Sequence, residues 1–448
     1  MATTLALLSA FAALASAQPA PPDWGCDALA AAGAFDSVTL FSPSGALSLS
    51  FIPYGGTAQS LRVPGAGGGR PVDVLLGFDD ASQYCRGEVG DAGHPYFGAL
   101  IGRVANRISR GTFSLDGAVV HTPINEPPPS GGNDTLHGGT FGYDRRVWAV
   151  QRLNASAARL SYFSPDGEMG FPGDLNVSVT YTLTEGSWVI SYAGVAGSKD
   201  TVFAPTQHAY WNLNGGAARV LEHTLAMPTA SRFVQVDAFL LPTGALGSVS
   251  DAANAFLDFT AEKPVGRDIN ATTRYSWGTG YDNAWVFDSW APDGPVAERV
   301  RVFSPLSGIG MVVSSDQPSV QVYSGNFLNN SIPQVSVAGA RRRRRRRRRR
   351  GMSGVRLRRG LHETVAATFA PPSHGLTDPP APTGTSPKLV AEARPEPGRR
   401  LRALGRARDR DAALPGQRQQ PLLPDRDAPR RRELHANDDL LLLHRAVE

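Results

Sequence analysis

The amino-acid sequence predicts an all-β fold, a sandwich or a barrel, on three observations. Between residues 40 and 330 the dominant hydrophobic period is two. Clusters of Gly, Pro, Asn and Asp separate the alternating runs, and no segment spaces its apolar residues as a long helix does. About 300 such positions hold enough apolar residues for one large core.

In chain order, Leu47-Ser48-Leu49-Ser50-Phe51 alternates apolar and hydroxyl side chains, the pattern of a half-buried strand. The longest run follows later, where Leu175, Val177, Val179, Tyr181 and Leu183 alternate with Asn176, Ser178, Thr180, Thr182 and Thr184. Successive side chains of a strand point to opposite faces, so one face of this run enters a core and the other meets water. Arg299-Val300-Arg301-Val302-Phe303 and Val320-Gln321-Val322-Tyr323 repeat the pattern near the end of the region. The folded domain is expected to span residues 36–338.

The ends of the chain differ from this domain. Residues 1–17 are Ala- and Leu-rich and close on Ala15-Ser16-Ala17, the small-x-small pattern of signal-peptidase cleavage, ahead of a Pro-rich stretch. A signal peptide and a secreted, extracellular protein are expected. No Lys or Arg opens the segment, and a short buried or anchoring helix fits the same residues. No other apolar run approaches the roughly 20 residues that span a bilayer, so no transmembrane segment is expected. Cys26 and Cys85 suit an oxidising compartment either as one bridge or as two separate thiols. Sequons at Asn154, Asn176, Asn270 and Asn329 fit a glycoprotein, and a fifth at Asn133 lies beside His137, where a glycan would crowd the site proposed below.

Charge divides the chain near residue 340. The first 340 residues hold 18 Lys and Arg against 28 Asp and Glu, whereas the last 108 hold 27 against 12, so the formal net charge of +5 describes neither part. Residues 341–350 are ten consecutive arginines, and the sequence beyond them is rich in Pro, Arg and Ala with no Tyr or Trp and the single Phe369. Such a segment buries too little apolar surface to offset its ordering entropy, and adjacent like charges repel. Disorder is therefore expected over residues 339–448.

Chemistry points to two histidines. His208 lies in Thr206-Gln207-His208-Ala209-Tyr210-Trp211-Asn212-Leu213 and His137 in Leu136-His137-Gly138-Gly139, while Asp282 follows in Gly280-Tyr281-Asp282-Asn283. Imidazoles titrate near neutral pH, and two of them set among aromatic, Gly and Asn residues with a carboxylate at hand define a polar, proton-handling pocket. Each also has a plainer reading. His137 fits the end of a Gly-rich turn, His208 a core histidine bonded to backbone, Asp282 a turn cap, Arg107 a structural ion pair and Gln321 the outward position of an alternating strand.

Nine motifs occur in order over roughly residues 40–330. They are Pro95-Tyr96-Phe97-Gly98, Gly102-Arg103-Val104-Ala105-Asn106-Arg107-Ile108, Leu136-His137-Gly138-Gly139, Gly142-Tyr143-Asp144-Arg145-Arg146-Val147-Trp148 and the His208 segment. Leu241-Pro242-Thr243-Gly244, Leu257-Asp258-Phe259, Tyr281-Asp282 and Val320-Gln321-Val322-Tyr323-Ser324-Gly325-Asn326 complete the set. Together they resemble the galactose mutarotase, or aldose 1-epimerase, family. The resemblance implies a β-supersandwich and an isomerase that interconverts α and β anomers of aldoses such as galactose and glucose, without cofactor or metal. It also implies that His208 donates a proton to the ring oxygen and that His137 is a sugar ligand stabilising the reacting oxygen. Asn106, Arg107, Asp282 and Gln321 are the implied ligands of sugar hydroxyls. Gln207 stands where many members carry Asn.

The implied base is a Glu on a strand shortly after the Val320 motif, and here the sequence departs from the family. The arginine run occupies that region, and Glu363, in Leu361-His362-Glu363-Thr364, is the acid that follows it and the candidate for the catalytic role. Without a base the chain would be a carbohydrate-binding relative that does not turn sugar over. The tail itself reads as a polybasic arm, as a dispensable extension, or as the product of a reading-frame or splice error. The last is favoured because the tail begins where the strand and its Glu belong. Nucleic acid is not an expected partner of a secreted protein; the expected partner is a small-molecule aldohexose.

Overall fold

The computed structural model describes residues 25–86, 96–128, 131–274, 279–326 and 328, together with the backbone of Glu363–Thr364 and Glu433–Leu434. The leader at 1–17, Pro95, the Asn329 sequon, the arginine run and the side chain of Glu363 lie outside the described residues.

Alternation in the sequence becomes alternation in burial. Along Leu175–Leu183 the residues Leu175, Val177, Val179, Tyr181 and Leu183 are buried, and those between them are partly exposed. The strand lies third in an antiparallel sheet ordered Ala149–Arg152, Ala157–Ser164, Leu175–Leu183, Trp188–Ala196, with Glu433–Leu434 on the outer edge. Its inner face joins the core formed with the antiparallel meander of Val38–Phe41, Ser48–Phe51, Ala58–Gly65 and Gly69–Asp73. An edge-on contact between Phe51 and Tyr181, ring centroids 5.4 Å apart, ties the two sheets together, and Tyr181 packs in the same way on Trp188 of the neighbouring strand at 5.3 Å. That geometry suits the ring quadrupoles, and each fully buried large side chain contributes about 1.5–3 kcal/mol by leaving water.

A second pair of sheets completes the core. One is ordered Lys263–Pro264, Thr224–Ala226, Ala297–Phe303, Gly310–Ser315; the other Tyr210–Trp211, Glu363–Thr364, Ser319–Tyr323, Asp282–Val286, Arg232–Val236, Pro242–Ser248. Strict alternation fails within Ala297–Phe303. Arg299 is buried beside Val300 because the register shifts between Glu298 and Val300. A bulge of this kind turns consecutive side chains to one side. Arg299 is satisfied there, donating from Nη1 to Ser289 Oγ at 2.8 Å and lying over the Phe287 ring at 5.0 Å.

The α-helices of the described residues are the short Cys26–Ala31 and Gln83–Arg86. A Cys26–Cys85 disulfide joins them, with Cα atoms 5.8 Å apart, so the two cysteines form one bridge. No described helix is long and apolar enough to cross a membrane. Two dipeptides of the region after residue 340 are described, and both extend sheets. Glu363 pairs with Trp211, and Thr364 pairs with both Tyr210 and Tyr323.

Candidate active site

His208 occupies the link between the short strands Thr206–Gln207 and Tyr210–Trp211. Its backbone is held on both sides, N–H donating to Ala99 O at 2.8 Å and C=O accepting from Gly98 N at 2.9 Å. Gln207 points the other way, into the core. Its Nε2 donates to Gly98 O at 2.8 Å and to Tyr181 Oη at 3.0 Å, while Tyr181 Oη donates to Gly56 O at 2.8 Å. Gln207 is therefore a core anchor beside His208.

His137 sits at the second position of a tight turn, Leu136–Gly139, closed by Gly139 N donating to Leu136 O at 3.0 Å. Its φ is 55°, and Gly138 follows at 82° in a space where a Cβ would come within 1.8 Å of Gly102 O. Only glycine fits that close approach. The imidazole is locked by Nδ1, which donates to Ala105 O at 2.7 Å. A carbonyl only accepts, so Nδ1 carries a hydrogen and Nε2 is the nitrogen able to act on a ligand. The turn also delivers the ring to His208, with centroids 5.1 Å apart and planes at 87°. Tyr96 completes this aromatic corner, 4.6 Å from His137 and 5.7 Å from His208 between centroids. Burial, reinforced by the Asp144 charge, pushes the Tyr96 phenol up, so it stays protonated.

The carbonyl that fixes His137 leads directly into the polar wall. Asn106 Oδ1 accepts from Arg107 N at 2.9 Å, and its Nδ2 reaches Gln321 Oε1 at 3.5 Å. Gln321 Nε2 donates in turn to Asp282 Oδ1 at 2.7 Å. Strand register explains the last contact: Gln321 pairs with Ala284 and Asp282 with Tyr323, which makes Gln321 and Asp282 diagonal neighbours on one face. Gln321 is outward on its strand as alternation demands, and outward here is toward this wall. Asp282 opens the Asp282–Val286 strand rather than capping a turn. Burial pushes its carboxyl up to about 6, against the opposing pull of Arg107 and of the Gln321 hydrogen bond.

Arg107 is both a structural ion-pair partner and part of the wall. Nε donates to Glu126 Oε2 at 2.7 Å and Nη2 reaches Glu126 Oε1 at 3.5 Å, with Asp134 Oδ1 3.9 Å from Nε. Arg103, four residues earlier in the same motif, has a different task. It is 2% exposed and donates to Ser164 Oγ, Pro172 O, Gly173 O, Thr201 Oγ1 and Pro165 O at 2.8–3.0 Å, knitting loops beneath the site.

Six of the seven residues singled out from sequence thus belong to one connected cluster: His137, His208, Asn106, Arg107, Asp282 and Gln321. For Glu363 the backbone is described, on the strand between Tyr210–Trp211 and Ser319–Tyr323. Sequence reasoning passed over Tyr96, Glu126 and Asp134. Tyr96 stood inside a quoted motif and carried a signal; Glu126 and Asp134 carried none. Among the described residues no group of three or more His, Cys, Asp or Glu side chains is arranged to hold a metal ion.

Residues 36–348 match the profile of the family described as aldose 1-epimerase. The chain is 36% identical over 308 residues to a probable aldose 1-epimerase of Arthroderma benhamiae, an alignment covering 64% of this chain and 68% of the relative. It is 37% identical over 296 residues to the galactose mutarotase of Bos taurus, covering 65% and 79%. Among solved structures, the GalM/aldose epimerase homologue from C. elegans superposes with a TM-score of 0.55 at 30% identity, covering 65% of this chain and 83% of that one. Fold, ordered motifs and these likenesses agree. The chain belongs to the aldose 1-epimerase family of isomerases, and its sheets form the β-supersandwich expected from the sequence.

Proposed function

We propose that this chain interconverts the α and β anomers of aldohexoses such as galactose and glucose by acid/base ring opening. One observation carries the reading: the His137 and His208 rings meet at 5.1 Å beside the wall of Asn106, Arg107, Asp282 and Gln321. In this mechanism His208 gives a proton to the ring oxygen while a base removes the hydrogen of the anomeric hydroxyl. The bond from anomeric carbon to ring oxygen breaks and an open-chain aldehyde forms. Rotation and reclosure on the other face of the carbonyl deliver the second anomer. Each positioned proton transfer is worth about 10²–10⁴ in rate, and nothing in the chemistry calls for a cofactor. His137 steadies the reacting oxygen, and the wall holds the hydroxyls. Glu363 is the proposed base, supported by the pairing of its strand with the strand that follows His208. We also infer a secreted glycoprotein, supported by the Cys26–Cys85 bridge and by the exposure of Asn154 and Asn270.

Polarimetry on freshly dissolved α-galactose or α-glucose tests the activity. The expected result is equilibration many times faster than in buffer. A buffer rate from a protein that still binds the sugar contradicts the proposal and identifies a carbohydrate-binding relative without turnover.

A further inference from the structure

We propose that Glu126 and Asp134 act as a carboxyl pair that positions Arg107 and so sets how tightly the site grips sugar hydroxyls. The inference rests on the reading above in one respect, that Arg107 is a sugar ligand. An arginine side chain has many rotamers, and a ligand must otherwise meet the cost of fixing one. Here Glu126 takes the guanidinium side-on, through Nε at 2.7 Å and Nη2 at 3.5 Å, which fixes both its plane and its rotation. Among the described residues no hydrogen bond engages Nη1, and we assign that edge to the hydroxyl oxygens.

The frame behind the pair is short and closed. Asn125 N and Glu126 N donate to Asp134 O at 3.2 and 3.3 Å, and Asn133 N donates to Glu126 O at 3.0 Å. Asp134–Thr135 then pairs with Ile108–Ser109, the strand that starts directly after Arg107. Both partners of the ion pair are thus mounted on one local unit. Asp134 lies fully buried at its centre, 0% exposed, with Oδ1 3.9 Å from Arg107 Nε.

Two acids therefore face one guanidinium, and ionising both would leave an uncompensated buried charge. Burial first, and then the Glu126 charge and hydrogen bond, push the Asp134 carboxyl up to about 7, while Arg107 opposes the shift. The charged groups around Asp134 are Glu126 and Arg107, and Asp282 interacts with both of those from the neighbouring sheet. Near neutrality the buried Asp134 carboxyl holds or releases its proton. Loss of that proton at higher pH draws the guanidinium back toward the acids and away from the sugar.

Calorimetric titration of the full chain with galactose, paired with polarimetric kcat, tests this. E126Q is expected to raise Kd about tenfold and to leave kcat within about twofold, because aim is lost while the proton-transfer groups stay. E126D, which keeps the charge, should recover part of the affinity. In the parent protein Kd should rise between about pH 6.5 and 8.5, and D134N, which fixes the uncharged form, should abolish that rise. Parental affinity in E126Q, or a loss of kcat without loss of affinity, overturns the pair's role when R107A still weakens binding strongly. Parental affinity in R107A instead overturns the assignment of Arg107 as a sugar ligand, and the pair's role with it. Should E126Q fail to fold, D134N decides, since a Kd profile identical to the parent's also overturns the proposal.

Discussion

At the residue scale the site depends on the protonation state of a few carboxyls. In the proposed role as a sugar ligand Asp282 accepts hydroxyl hydrogens best when ionised, and burial pushes it up to about 6. Galactose affinity should therefore increase as pH rises from about 5 to 6.5, and D282N should remove that dependence. A pH-independent Kd across this window contradicts the assignment of Asp282 as a ligand. Stability runs the other way. The folded pKa lies above the unfolded value of 3.8, so the contribution of this group is fully present below that value and is lost as pH rises through about 6. His137, His208 and Asp282 were legible in the sequence because their residue types and Gly- and aromatic-rich neighbours carry chemical meaning by themselves. Glu126, in Ile124-Asn125-Glu126-Pro127, reads as loop polarity, and only the pairing of Ile108–Ser109 with Asp134–Thr135 builds the frame that brings it to Arg107. Nothing local tells the buried Arg103 from the site residue Arg107, since both lie in one motif and burial is decided by Ser164, Pro172, Gly173 and Thr201, far along the chain.

Strands differ in how far their sequence explains them. Leu175–Leu183 is long enough for period-two patterning to fix its face, and the burial pattern follows residue by residue. Leu175→Ala should cost about 2–5 kcal/mol of stability because Leu175 is fully buried, whereas Thr180→Ala on the opposite face should cost about 0.5 kcal/mol or less. Denaturant unfolding of the two variants checks this, and equal losses would mean the faces are assigned wrongly. The strands that present the site, Leu100–Ile101, Thr206–Gln207 and Tyr210–Trp211, are two residues each, too short for any period to be read. Tertiary pairing makes them. The bulge in Ala297–Phe303 was hidden for a related reason, because alternating Arg and Val residues look regular until the register slips at Glu298 and Val300.

Over the whole molecule the site is an assembly of distant stretches. Asn106 and Gln321 touch across 215 positions, and Asp282 meets Gln321 across 39. The fold class was legible because alternation recurs over most of residues 40–330, and ordered motifs extended that to the family. Sequence did not reveal which side chains interlock, because that depends on how separate sheets meet. Charge divides at residue 340 between an acidic domain and a basic tail, and within that tail Glu363–Thr364 is built into the sheet next to the His208 segment. The central claim is that His208 protonates the pyranose oxygen within this assembly. Exchange NMR on galactose at anomeric equilibrium, comparing the parent with H208Q, tests it directly. A kcat lower by about 10²–10⁴ with sugar affinity retained is predicted, and a kcat within tenfold of the parent contradicts it.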